Sequence, residues 1–443
     1  MRGVTRTHSC RGKSFNISYA SLEYGELSMN MRIAFFASTM CLALCSISRA
    51  DNWAHWRGPQ GNGTGVGNPP LSWGEGKNIK WQVAVPGKGS GSPIVWDNRV
   101  FVVTAVPSEK SAGSLLFKLI CFDRQNGTEL WQRTAVEATP HQETHSTNNH
   151  ASASPCTDGQ HVFAHFGSRG LYCYTMDGKL VWQRDFGDMQ TRNGFGEGSS
   201  PTLAGDILLV PWDHEGPSAL FALDKLTGKI LWQTPRDEPT CWATPLVVEH
   251  NGQKQVVMNG QNYARAYDLQ SGKELWKCGG QTERPCASAV ALEGVVYVGS
   301  GFRGAFMGAF KLDGRGDIAK TKQVVWTIDH DTPDVASPAL SDNRLYFYKG
   351  KSGQLSCVDA KTGKPYYTAQ RIPEMNNTYA SPIAVAGRVY LTDRSGKIVV
   401  IEDSEKLKVL ASNSMGETVD ATPAVADNQL FIRGERHLFC IAE

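Results

Sequence analysis

Hydrophobic and polar positions alternate in short runs along most of the chain, and the runs come in a fixed order. Residues 200–232, SPTLAGDILLVPWDHEGPSALFALDKLTGKILW, show that order once. A small-Pro step opens the unit, two apolar runs (DILLV and ALFAL) follow, then a polar turn, and a Trp closes it. Short alternating runs bounded by Gly, Pro and Asp predict strands. Pro fixes φ and lacks an N–H, so it suits the first residue of a strand. The small residues around it let backbones crowd together. The Asp224-Lys225-Leu226-Thr227-Gly228-Lys229 turn supplies a glycine where a hairpin needs positive φ. The closing Trp offers a large apolar face to the next unit. One unit is therefore a small antiparallel sheet of about four strands.

The same pattern recurs roughly every 45 residues, the spacing of a repeat architecture. Its openings fall at Pro93, Pro155, Pro201, Pro245, Pro338, Pro382 and Pro423, with a degenerate copy at Ala287-Ser288-Ala289. Its closing positions are Trp131, Trp182, Trp232, Trp276, Trp326, Tyr367 and Leu410. Trp81 is a closing residue with no opening before it, and the last unit, ending LFCIAE, stops before it reaches one. The two defects complement each other. If the Trp81 strand completes the C-terminal unit, the array closes into a ring and no edge is left exposed. The pattern predicts an all-β fold, an eight-bladed propeller of four-stranded antiparallel blades, with an N-terminal strand closing the C-terminal blade.

The turns ALDKLTGKILW (222–232), YDLQSGKELW (267–276) and VDAKTGKPYY (358–367) resemble the Trp-docking repeat of pyrroloquinoline quinone (PQQ)-like β-propellers. The resemblance runs from about residue 78 to the end of the chain. It implies the fold more sharply than the activity. The family includes quinoprotein alcohol and sugar dehydrogenases as well as the non-catalytic propeller of the outer-membrane assembly machinery.

Composition adds little to the fold and something to location. Formal charge is +2 over 443 residues, which is no electrostatic footprint for nucleic acid. Met31-Arg32 precedes an apolar run, IAFFASTMCLALCSI, and Ser48-Arg49-Ala50 follows it. That order is the pattern of a secretory signal, too short to span a membrane comfortably. Residues 1–50 are read as a signal peptide with a misassigned upstream start, the true start lying at Met29 or Met31. A lipid anchor at Cys45 is not expected, because Leu44 stands where a lipoprotein box needs a small residue. An exported, periplasmic or envelope-associated chain without a membrane span follows, expected to be a monomer.

Residues 51–77, rich in Gly, Pro and Trp, are expected to wrap the propeller without regular structure. Trp53, Trp56 and Trp73 should pack on blades there. Removing residues 51–68 should cost much less stability than removing residues 78–86, which carry the Trp81 strand. Eight of the 11 cysteines follow Ala50. Cys121, Cys173, Cys357 and Cys440 share one strand position and read as buried small apolar residues. Cys278 and Cys286 flank the connection CGGQTERPC and are candidates for a disulfide.

Three polar clusters fall on connections that should emerge on one face. The first contains His141, His145 and His150, the second Asp213, His214 and Glu215, and the third Arg236, Asp237, Glu238 and Trp242. They are the candidate site for a small polar ligand or an envelope protein. The same residues would equally serve as inter-blade ion pairs. Neither His-x-x-x-His nor Asp-His-Glu on a loop is a specific metal signature, and no metal is expected. The family's alcohol dehydrogenases imply a vicinal Cys-Cys pair over PQQ, a calcium held by acidic and amide side chains, and a catalytic Asp. No Cys-Cys occurs in this sequence, and the longest insertions, near 106–116 and 313–323, are modest. The sequence reading is thus a non-catalytic binding or scaffold propeller without cofactor. Its alternative is a quinoprotein-like oxidoreductase using PQQ with calcium.

Overall fold

A computed structural model describes residues 52–443; the signal-peptide, start-site and Cys45 expectations lie outside the described residues. Eight antiparallel sheets follow one another along the chain. Seven run as meanders, one of them with a short added parallel strand, and the eighth joins the two ends of the propeller. In it, Ile79–Ala84 pairs with His437–Ile441, placing Trp81 opposite Cys440. The ring closes as the complementary defects require.

The two insertions extend blades and roof nothing. Residues 106–116 lengthen a hairpin of blade 1, whose strands Arg99–Pro107 and Leu115–Asp123 pair along their full length. Residues 313–323 return beside blade 4, where Gly316–Asp317 pairs in parallel with Trp276 and Lys277.

Five of the six closing Trp residues reach into the turn of the next blade; the indole nitrogen of the sixth, Trp276, is buried without a partner. The indole nitrogens of Trp81, Trp131 and Trp182 donate to the carbonyls of Arg124, Met176 and Lys225, each at 2.9 Å. Trp232 and Trp326 do the same to Leu269 and Ala360, at 3.0 and 2.8 Å. The turn glycine is needed twice over. At Gly228 φ is +67°, and a Cβ there would lie 2.6 Å from the Trp182 ring. Side-chain packing and backbone conformation therefore demand the same residue.

At the axis, the small-Ser/Thr-Pro openings make a closed belt. The backbone N–H of each opening Ser or Thr donates to the side-chain oxygen of its counterpart on the next blade. Ser92 donates to Ser154, Ser154 to Ser200, Ser200 to Thr244 and Thr244 to Ser288, over 2.9–3.1 Å. Ser288 continues to Ser337, Ser337 to Ser381, Ser381 to Thr422, and Thr422 returns to Ser92, over 2.8–3.0 Å. The degenerate opening keeps its hydroxyl at Ser288 and loses only the proline. These side chains are therefore the axial seam between blades as well as small residues that permit crowding.

The N-terminal wrap is tied to several blades by hydrogen bonds. It contains no regular strand and crosses the axis beneath the belt. Trp53, fully buried, exchanges backbone hydrogen bonds with Val95 of blade 1, both at 2.9 Å. The Arg57 guanidinium donates to the carbonyl of Pro382 at 2.9 Å and to that of Pro338. Asn62 exchanges side-chain bonds with Ala291 of blade 5, at 2.9 and 3.0 Å. Thr64 bridges to Ala384 of blade 7. Burial holds Arg57 down to about 9 and His55 to about 4. Trp73 packs on Tyr390. Trp56 does not follow Trp53 and Trp73 into a blade; it faces the axial cavity.

Candidate functional site: an axial well

Because the wrap closes one end of the axis, the channel is a blind well of about 470 Å³. Trp56 and seven of the eight belt hydroxyl residues line its inner part. The next layer is legible in the repeat, since it consists of the residue two positions before each belt hydroxyl. On one side these are Ser90, Ser152 and Gly198; on the other they are Trp242, Cys286, Val335, Tyr379 and Asp420. The residue between the layers is always Gly, Ala or Ser, so it cannot obstruct the cavity. The wall is therefore lopsided, small on blades 1–3 and functionally rich on blades 4–8.

The mouth carries charge and aromatic surface together. The Arg284 guanidinium lies 3.2 Å from the Phe302 ring centroid and 5.3 Å from that of Phe195. Lys351 Nζ lies 5.6 Å from the Tyr379 centroid and 4.0 Å from Asp334. Stacking of this kind stabilises a cation without using up its hydrogen-bond donors. Burial raises the Asp334 carboxyl above its ordinary range. It pushes Asp420 up to about 6, against the opposing pull of Arg394 at 3.0 Å.

The ten residues singled out from sequence do not form one site. His145 and Trp242 line the well; His145 packs edge-on against Phe195 with centroids 5.1 Å apart, and the Trp242 indole donates to the Gly196 carbonyl at 2.8 Å. His141 and His150 instead line a small cavity of about 30 Å³ beside His165 and Glu197. Burial lowers His150, and burial raises Glu197.

The remaining residues hold the junction of blades 3 and 4. Arg236 grips Asp213 through two bonds of 2.8 and 2.9 Å, both side chains essentially buried, and donates to the Tyr267 hydroxyl at 2.6 Å. Arg265 pairs with Glu238 and Asp237. Glu238 also accepts the backbone N–H groups of Asn262 and Tyr263, at 2.7 and 3.1 Å. His214 Nδ1 accepts the Gln190 N–H at 3.0 Å. Glu215, exposed at a loop tip, accepts the Thr240 hydroxyl and N–H at 2.8 and 3.2 Å. The sequence reading passed over Arg284, Phe302, Asp334, Lys351, Tyr379 and Asp420.

The donors around the well fit a quinone with a divalent ion poorly. Its two acidic wall residues, Asp334 and Asp420, already face Lys351 and Arg394. Among the described residues, no three His, Cys, Asp or Glu side chains are grouped to hold a metal ion. Cys286 stands in the wall as a free thiol, and Cys278, buried on an outer strand, is also free; the two do not pair in this structure.

Residues 72–194, 171–316 and 289–442 match the PQQ_2 family model, described as outer membrane protein assembly factor BamB. The chain belongs to this family. Among solved structures, BamB from Moraxella catarrhalis superposes with a TM-score of 0.58 at 12% identity, covering 82% of this chain and 98% of that one. Quinohemoprotein alcohol dehydrogenase from Comamonas testosteroni gives 0.63 at 10% identity, covering 89% and 81%. At such identities the likeness shows the propeller fold and no more. A quinoprotein ethanol dehydrogenase of Pseudomonas putida is 22% identical over 356 residues, 69% of this chain. The chain spans about half, 53%, of that relative's length. No helix among the described residues is long and apolar enough to cross a membrane.

Proposed function

We propose that this chain is a non-catalytic binding propeller of the cell envelope that takes a small polar ligand into its axial well. The observation that carries this reading is the blind well itself. A wrap plugs one end, a ring of hydroxyls lines the inner part, and cations stacked on aromatic rings guard the mouth. A concave cavity with a few convergent polar groups and aromatic walls is the ordinary form of a small-molecule site. The envelope location rests on the family description, which names an outer-membrane assembly factor, and a protein partner on the outer rim is compatible with it.

The test fills the well without removing a hydrogen bond. Val335 lies in the wall, and Val335→Trp should leave melting temperature within a few degrees of the native protein while abolishing thermal stabilisation by any small-molecule hit. Hits that bind Val335→Trp as well as the native chain would overturn the reading.

The quinoprotein likeness favours a second reading, oxidation of an alcohol or sugar with PQQ. The committed carboxylates of the wall and the unpaired Cys286 weigh against it. Saturable, calcium-dependent PQQ binding with dye-linked turnover would move the assignment to that class; neither is expected.

A further inference from the structure

The belt hydroxyls have a directionality that the fold alone does not require. A Ser or Thr hydroxyl offers one hydrogen and two lone pairs. In the belt each oxygen spends a lone pair on the N–H of the preceding blade. Among the described residues, none of the eight has an acceptor for its own hydrogen. On the wrap side of the belt the situation is opposite. There the strand carbonyls are covered: those of Pro382 and Pro338 by Arg57, and that of Pro245 by the Thr202 hydroxyl at 2.8 Å. Three acceptors are thus covered on that side, while seven of the eight hydroxyl residues line the well.

Donors that line an open cavity are free to be taken by whatever enters it. An acceptor-rich group on the axis suits such donors, and a charged one suits them best, because O–H donors bind oxyanions about twice as strongly as neutral acceptors. The wall charges do not oppose it: Arg284 and Lys351 balance Asp334 and Asp420, and Arg394 backs Asp420. We propose that the hydroxyl belt is an oxyanion seat, and that the ligand of the well enters with a carboxylate or phosphate end first. That end takes hydrogens from neighbouring hydroxyls such as Ser154, Ser200 and Thr244, while the rest of the molecule meets Arg284, Lys351 and the aromatic rings of the mouth. The proposal rests on the well being the binding site.

The experiment uses crystals of the full propeller soaked in selenate, with phosphate and citrate titrated calorimetrically in solution. The expected result is an anomalous peak on the axial side of the belt, within hydrogen-bond distance of at least two belt oxygens. Phosphate and citrate should each compete with selenate; if only one does, that result identifies which oxyanion the seat prefers. Ser200→Ala should weaken the tighter of them about tenfold, the worth of one hydrogen bond to an anion. Ser200→Thr, which keeps the hydroxyl as Thr244 and Thr422 do, should restore it. If Ser200→Ala does not fold, the anomalous peak in native crystals decides alone. Selenate found only on surface lysines or only at Arg284 would make it an adventitious ion only and overturn the proposal. Loss of well binding in Val335→Trp without any axial oxyanion would sink the seat and leave the well standing. Ligand binding indifferent to Val335→Trp would sink the well reading itself.

Discussion

Two charged regions of this propeller use the same residue types to different ends. At the junction of blades 3 and 4, Arg236 and Asp213 close on each other through two bonds, and the Tyr267 hydroxyl takes a further donor. Arg265 and Glu238 repeat the arrangement next door. Along the wall of the well, Arg284 and Lys351 rest on aromatic faces, and Asp334 lies 4.0 Å from its cation. The first region is complete as it stands. The second has donors in reserve, and reserve is what a binding surface needs. The difference lies in how fully each charge is used up by the fold, a property that the identity of the residues does not reveal.

The largest test of that contrast is Arg236→Ala. Leaving Asp213 buried and uncompensated should cost about 3–5 kcal/mol, read as a large fall in melting temperature. A double replacement by apolar residues of similar volume should recover most of it. If Arg236→Ala melts within a degree or two of native, the junction is not the closed structural pair described.

Asp420 gives the next largest effect, through pH. Its folded carboxyl lies at about 6 against an ordinary 3.8. A raised acid holds its proton in the fold where the unfolded chain has lost it. Stability from this group is therefore full below pH 3.8 and falls as pH rises toward 6. About two units correspond to at most about 3 kcal/mol. Asp420→Asn removes the slope, so the variant should gain on the native protein between pH 4 and pH 7. A gap between their melting temperatures that stays constant over that range would show that Asp420 is not strained by burial.

The smaller effects divide the regions most sharply. Glu215→Ala should cost about 1 kcal/mol, through its bonds to Thr240, and leave ligand binding untouched. Lys351→Ala should cost under about 1 kcal/mol, as for a half-exposed ion pair, yet weaken ligand binding measurably. Equal behaviour of the two variants in a binding assay would erase the distinction between the regions.

The sequence carried the ring far better than the well. The repeat, the closing strand and the turn glycines were legible because one periodic unit is written many times and its exceptions complement each other. The belt was half legible. Ser-Pro and Thr-Pro stood out, but their value as hydroxyls emerged only when neighbouring openings were seen to touch. The polar clusters were legible as unusual, yet nothing in Asp213 and Arg236 says they are partners until the hairpin brings them together. Arg284 and Lys351 gave no signal, since they sit on irregular connections where no period applies. Trp56 was misplaced for the same reason: the wrap has no alternation from which to read a face.

The wrap and the closing strand also have a place in time. They are synthesised before any blade, yet their partners include Ala384 and the strand His437–Ile441. The first described residues to be made are therefore among the last to be placed. Contacts of such sequence separation are slow to form, and until they form, the closing strand of blade 8 and the axial floor are incomplete. A chain lacking only its last few residues loses the partner of Trp81 as surely as one lacking its first strand. The first and last strands of the propeller are one structural element, and a lesion in either should show the same folding defect.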